Sequence, residues 1–123
     1  MQDNSAPLSY QHIENALRDA INKMADLTQD FATTADDYAV AEATYKVEFA
    51  KARLSARAKG DHEGRKVTES NADDIATVAT ESERFHMERT KAQHDAARQA
   101  LLSVRSRIDS LRSLMTSHRE AGG

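Results

Sequence analysis

Glycine and proline stand at only five places in this chain, Pro7, Gly60, Gly64, Gly122 and Gly123, so two long segments contain no strong helix breaker. Helix is favoured throughout both. Between them, Lys59-Gly60-Asp61-His62-Glu63-Gly64 is a short polar run of the kind that joins two antiparallel helices. The expected class is therefore all-α: a long antiparallel helical hairpin with coiled-coil-like seams, assembling into an oligomer. At 123 residues a single domain is the default. Its parts are a helical arm over 9–59, a connector over 60–67 and a long C-terminal helix over 68–118.

Local signals refine these bounds. The Ser9 hydroxyl can cap the first turn of the arm, whose apolar set Ile13, Leu17, Ala20, Met24, Leu27 and Phe31 is spaced by threes and fours. Thr33-Thr34-Ala35-Asp36-Asp37 has the composition of a new N-terminus, because acids there are favoured by the helix dipole; a kink or break is expected at 33–37. Beyond it, Tyr38, Ala41, Tyr45, Phe49, Ala52 and Ala56 share one face. Thr68 or Ser70 is the expected cap of the last helix, with Asp73 and Asp74 in its opening turn.

That last helix carries two registers. Leu101, Val104, Ile108, Leu111 and Met115 form a seam with coiled-coil spacing, the expected oligomer interface. Beside it a basic residue recurs every seventh position, at Arg84, Lys91, Arg98, Arg105, Arg112 and Arg119. This stripe fits a partner helix, a sister copy or a polyanion. It fits equally well a solvated face laced by Arg84 with Glu88, Lys91 with Asp95 and Arg105 with Asp109, or one facing acidic Asp19, Asp26 and Asp30.

Composition argues for association. Leu, Ile, Val and Phe total 20 residues while alanine alone supplies 21, so a lone hairpin would bury little apolar surface. The absence of cysteine fits a reducing cytosol and excludes a Cys-based zinc site. No apolar run reaches the length of a membrane span, and no basic region followed by an apolar core opens the chain, so a cytoplasmic protein without membrane contact is expected.

Charge is blocked along the chain. Residues 1–45 carry a net −6, 46–66 a net +4, 67–90 a net −4 and 91–123 a net +3. Folding back at Gly60 to Gly64 sets each block beside one of opposite sign. Such pairs select register more than they stabilise, at about 0.2–1 kcal/mol each.

The densest basic block is Lys46, Lys51, Arg53, Arg57, Lys59, Arg65 and Lys66, with Tyr45 and Phe49 on the same helix. Cations along a backbone path with rings nearby are what sequence-tolerant single-strand binding requires. The dipole also favours Lys and Arg at a helix C-terminus with no ligand, and rings four apart commonly belong to a core.

Within this block, Phe49-Ala50-Lys51-Ala52-Arg53-Leu54, followed by Ser55-Ala56-Arg57-Ala58-Lys59-Gly60-Asp61, resembles the Lys-Ala-Arg-Leu segment and Gly/Asp turn of the UvsY recombination mediators of tailed phages. Length, hairpin layout and an Arg/Leu-rich C-terminus extend the likeness along the chain. The resemblance implies a small oligomeric helical protein that binds single-stranded DNA and helps load a recombinase onto strands covered by single-strand-binding protein, in the host cytoplasm if phage-encoded. It places Lys51 and Arg53 among the DNA-contacting bases and makes the C-terminal helix the assembly region. Where that motif continues with aromatic residues, this chain has Ser55 and Ala56, which favours phosphate contact over base stacking.

Catalysis finds no pattern here. The five histidines, His12, His62, His86, His94 and His118, lack i,i+4 ligand spacing, and neither a phosphate loop nor a nucleophile motif occurs. His94 and His118 fall on the seam as packing residues. No enzyme, cofactor or metal is expected. The alternative to a DNA-binding mediator is a structural coiled-coil scaffold or assembly module that binds protein partners only.

Overall fold

The computed structural model describes residues 9–60 and 65–122. Of the expected connector, Asp61, His62, Glu63 and Gly64 lie outside the described residues, as does Pro7. Three helices occur among the described residues: α1 (Tyr10–Lys59), α2 (Glu69–Ala79) and α3 (Glu81–Gly122).

Caps set the ends of α1. The Ser9 carbonyl accepts from the Ile13 N–H at 3.1 Å and its hydroxyl from the His12 N–H at 3.2 Å, which satisfies two donors of the first turn. At the other end Gly60 adopts a left-handed φ of 70° and donates its N–H to the Ala56 carbonyl at 3.2 Å. Glycine enters that region without the steric cost of a Cβ, which is why the helix stops there.

The break expected at 33–37 is absent, and α1 passes through these residues uninterrupted. Thr34 continues the three-four spacing between Phe31 and Tyr38, and all three are half-buried, so the inward face never loses register. Asp36 and Asp37 are exposed, where helical conformation costs them little.

The expected continuous helix over 68–118 is instead two helices. Thr68 caps α2, its hydroxyl accepting from the Asn71 N–H at 3.1 Å. At Thr80 the backbone leaves helical geometry (φ −112°, ψ 24°), and both its N–H and its hydroxyl donate to the Ala76 carbonyl, at 3.1 and 2.7 Å. The Thr80 carbonyl then accepts from the Arg84 N–H at 3.0 Å and starts α3.

The described residues form two compact units, residues 9–32 with 96–122, and residues 33–60 with 65–95. In the first, the opening of α1 lies antiparallel to the end of α3, so that the Tyr10 and His118 rings meet at 5.9 Å. Ile13 and Ala20 pack against Val104, Ile108 and Leu111, with Ala16, Leu17, Met24, Leu27 and Met115 closing around them. The residues expected at the oligomer interface pack largely within the chain. Val104, Ile108 and Leu111 are buried inside the chain itself, Met115 packs on them, and Leu101 is half-buried on the same helix.

In the second unit the rest of α1 packs antiparallel to the beginning of α3, with α2 against its end. The buried residues are small: Ala41, Ala56, Ala72, Ala76, Val67, Thr80 and Thr90. Ala56, Val67 and Ala72 form one cluster, which seats α2 on the last turns of α1. Small side chains let helix axes approach closely at a modest gain in burial. A polar layer interrupts this packing, where Thr34 Oγ1 meets His94 Nδ1 at 3.1 Å and the Tyr38 ring stacks obliquely on His94 at 6.5 Å. No helix among the described residues is long and apolar enough to cross a membrane.

Candidate nucleic-acid interface

The basic block occupies the last four turns of α1 and the start of the segment leading to α2. Its geometry is set by helix spacing. Lys46, Arg53 and Arg57 return to one flank of α1, the flank on which α2 is seated. Lys51 lies two residues from Arg53, about 200° away around the helix, so the two bases paired by the resemblance point to different sides.

Among the described residues, Lys46, Lys51, Arg53 and Arg57 have acidic partners. Lys46 Nζ lies 3.2 Å from Glu42 and Lys51 Nζ 3.5 Å from Glu48, each pair within one turn of α1. Both ammonium groups remain about 70% exposed, so their pairs are solvent-screened contacts that a phosphate can replace. Arg53 and Arg57 behave differently. Both guanidinium groups bond the same Glu69 carboxylate oxygen, and Arg53 Nε also lies 2.7 Å from Asp73 Oδ1. That last contact is coulombic, because neither of its two atoms completes a hydrogen bond. Glu69 and Asp73 belong to α2, so the two arginines clasp α2 to α1.

The clasp sets the ionisation of its acid. The hydrogen bond from Arg57, followed by the charge of Arg57 and the Arg53 contacts, holds the Glu69 carboxyl below the usual carboxylate range. Glu42 is also held low, first by the Tyr38 hydroxyl, which donates to it at 2.8 Å, then by Lys46, with a smaller contribution from Lys91 on α3. In turn that hydrogen bond raises the Tyr38 phenol.

Lys59, Arg65 and Lys66 are exposed, and Lys59 and Lys66 make no ion pair with a described residue. Together with Lys46 and Lys51 they form the solvent-facing cations of the block. No family model matches this chain, and no curated protein or solved structure matches it. The rings expected near the cations are turned inward: Tyr45 and Phe49 are half-buried and pack on each other at 5.9 Å, on the seam face of α1. The interface thus offers charge rather than stacking.

Glu69 and Asp73 are the acidic partners of the basic block that local sequence signals missed, since an acid just after a cap already has a reason to be there. The signal that finds them is the blocked charge, which opposes +4 over 46–66 to −4 over 67–90. In the Arg stripe, Arg84 sets its guanidinium 5.5 Å from the centre of the exposed Phe85 ring, a cation–π contact along its own helix.

Proposed function

We propose that the protein is a non-enzymatic single-stranded DNA-binding recombination mediator of the UvsY type, acting in the cytoplasm of a host cell. In this role it self-associates and helps a recombinase replace single-strand-binding protein on the strand. The observation that carries the reading is the set of solvent-facing lysines, Lys46, Lys51, Lys59 and Lys66, gathered around the end of α1 beside the run that resembles the mediator motif. Flexible ammonium groups bind phosphates as point charges and release counterions without reading bases.

The arginine clasp decides which variant tests this. Removing Arg53 would loosen α2 as well as delete a cation, so loss of binding would not isolate DNA contact. The triple change Lys51→Ala, Lys59→Ala, Lys66→Ala touches only exposed side chains. Fluorescence anisotropy with a labelled oligonucleotide should show binding by the native chain at low salt and at least a tenfold weaker affinity in the triple variant, with unchanged circular dichroism. Absence of binding at low ionic strength removes the proposal.

A second reading has its own support. Val40, Val47, Leu54, Ile75, Val78 and Phe85 are large apolar side chains exposed in one unit, which suits an assembly module that grips protein partners. A stoichiometric protein complex indifferent to the triple lysine change would favour it.

A further inference from the structure

α1 carries a second heptad that its own chain does not use. Val40, Val47 and Leu54 recur at seven-residue spacing and are 59%, 51% and 63% exposed. Ala43 and Ala50 fall between them and are exposed too, which completes the alternating three-four spacing of a seam. Most of this stripe faces away from the hairpin, with Val40 at the rim of a groove shared with His86, Thr90 and Gln93 of α3: Val47 lies two residues from both Tyr45 and Phe49 on the inward face, about 200° around the helix from each.

We infer that this outward stripe is a self-association seam, on which a second copy of the chain docks its own α1 in antiparallel orientation. The stripe is complementary to itself by size. With the two helices antiparallel, Val40 of one copy meets Ala50 of the other and Ala43 meets Val47, so each of these valines packs on an alanine, while Leu54 lies at the seam's end near Asp36 of the other copy. Charge selects the direction. Asp37 and Lys51 flank the stripe on the same side, both exposed, fourteen residues apart. In the antiparallel register Asp37 of each copy lies beside Lys51 of the other, giving two opposite-charge pairs by symmetry against a single like pair, Lys46 with Lys46 of the other copy on the opposite flank. A parallel pairing would set Lys46 against Lys51 on both sides of the seam, with like charges opposed.

The contact is small. A few turns of one helix per copy bury less than the roughly 1,200 Å² of a standard interface, so the pair is reversible and forms in a concentration-dependent way. Unlike the apolar seam of α3, whose Val104, Ile108 and Leu111 are buried within the chain, this stripe is exposed.

The inference rests on the self-association in the proposed function and gives it a surface; it is tested without DNA, so the seam and strand binding can fail separately. Sedimentation velocity of the full chain over roughly 5–500 μM should show a shift from monomer to dimer, as a micromolar dissociation constant requires. V47E, an exposed helical position that tolerates a charge, should remain monomeric over that range. V78E, placed on the exposed apolar patch of α2, should dimerise like the native chain. Because the chain has no cysteine, orientation can be read directly: an oxidised mixture of A43C and V47C chains should yield chiefly the mixed disulfide. A chain that stays monomeric throughout, a V47E dimer of native strength, an equal loss in V78E, or a predominant V47C homodimer in the mixture would each overturn the inference.

Discussion

Glu69 decides what the arginines of the basic block can do. Its one carboxylate oxygen takes both Arg53 and Arg57, so these cations are engaged with α2 while the lysines around them face solvent. A phosphate approaching Arg57 must compete with a carboxylate already in place. Glu69→Gln removes the charge but keeps the side-chain length, so both guanidinium groups become available. Single-strand affinity should rise, and the slope of log affinity against log salt should steepen by about one; anisotropy titrations at several salt concentrations measure both. The same residue sets an acid limit. Its folded pKa is lowered, so its contribution to stability is complete above the ordinary carboxylate pKa and is lost as pH falls through the lowered value. Acid titration followed by circular dichroism should therefore show a component in the native chain that is missing in Glu69→Gln.

The helices differ in how tightly they are specified. α3 buries Ile108 at 4% exposure among Ile13, Ala20, Val104 and Leu111, and Ile108→Ala should cost about 2–5 kcal/mol in chemical denaturation. α2 instead is seated through a side chain with no room to grow, because Ala72 is fully buried against Ala56 and Val67. Ala72→Leu should destabilise by about 1–3 kcal/mol, and hydrogen exchange should place the loss in the amides of α2. These elements also show what local signals convey. Ser9, Gly60 and Thr68 were legible because capping is decided by the residue itself. The helix running through 33–37 was not, since Asp36 and Asp37 imitate a cap while Thr34, satisfied by His94, keeps the seam in register. Thr80 was silent as well. Its hydroxyl turns back to the carbonyl one turn earlier, but Thr28, Thr77, Thr90 and Thr116 do the same inside unbroken helix, so a threonine at this place in the sequence does not mark a break. The seam residues of α3 were recognised as apolar and periodic, but periodicity does not say whether a seam is filled from the same chain or from another.

Charge blocking reconciles an acidic protein with a proposed polyanion ligand. The net charge is −3, so the mean field repels DNA, and attraction must come from the block over 46–66, where the local balance is +4. Part of that positive charge is used internally, in the clasp with α2 and in the one-turn pairs of Lys46 and Lys51. Binding would therefore exchange intramolecular partners for phosphates at two lysines and add new contacts at Lys59 and Lys66. Both kinds of contact release counterions from the strand. Four lysines on single-stranded DNA imply a slope of log affinity against log salt of about −3. Such a charge-limited interface, with Tyr45 and Phe49 turned inward, should discriminate little between bases. Anisotropy titrations with oligo-dT and oligo-dA of equal length should thus give parallel salt slopes near that value, and affinities within a few-fold of each other. A shallow slope with strong base preference would mean that rings or the apolar stripe, rather than the lysines, hold the strand.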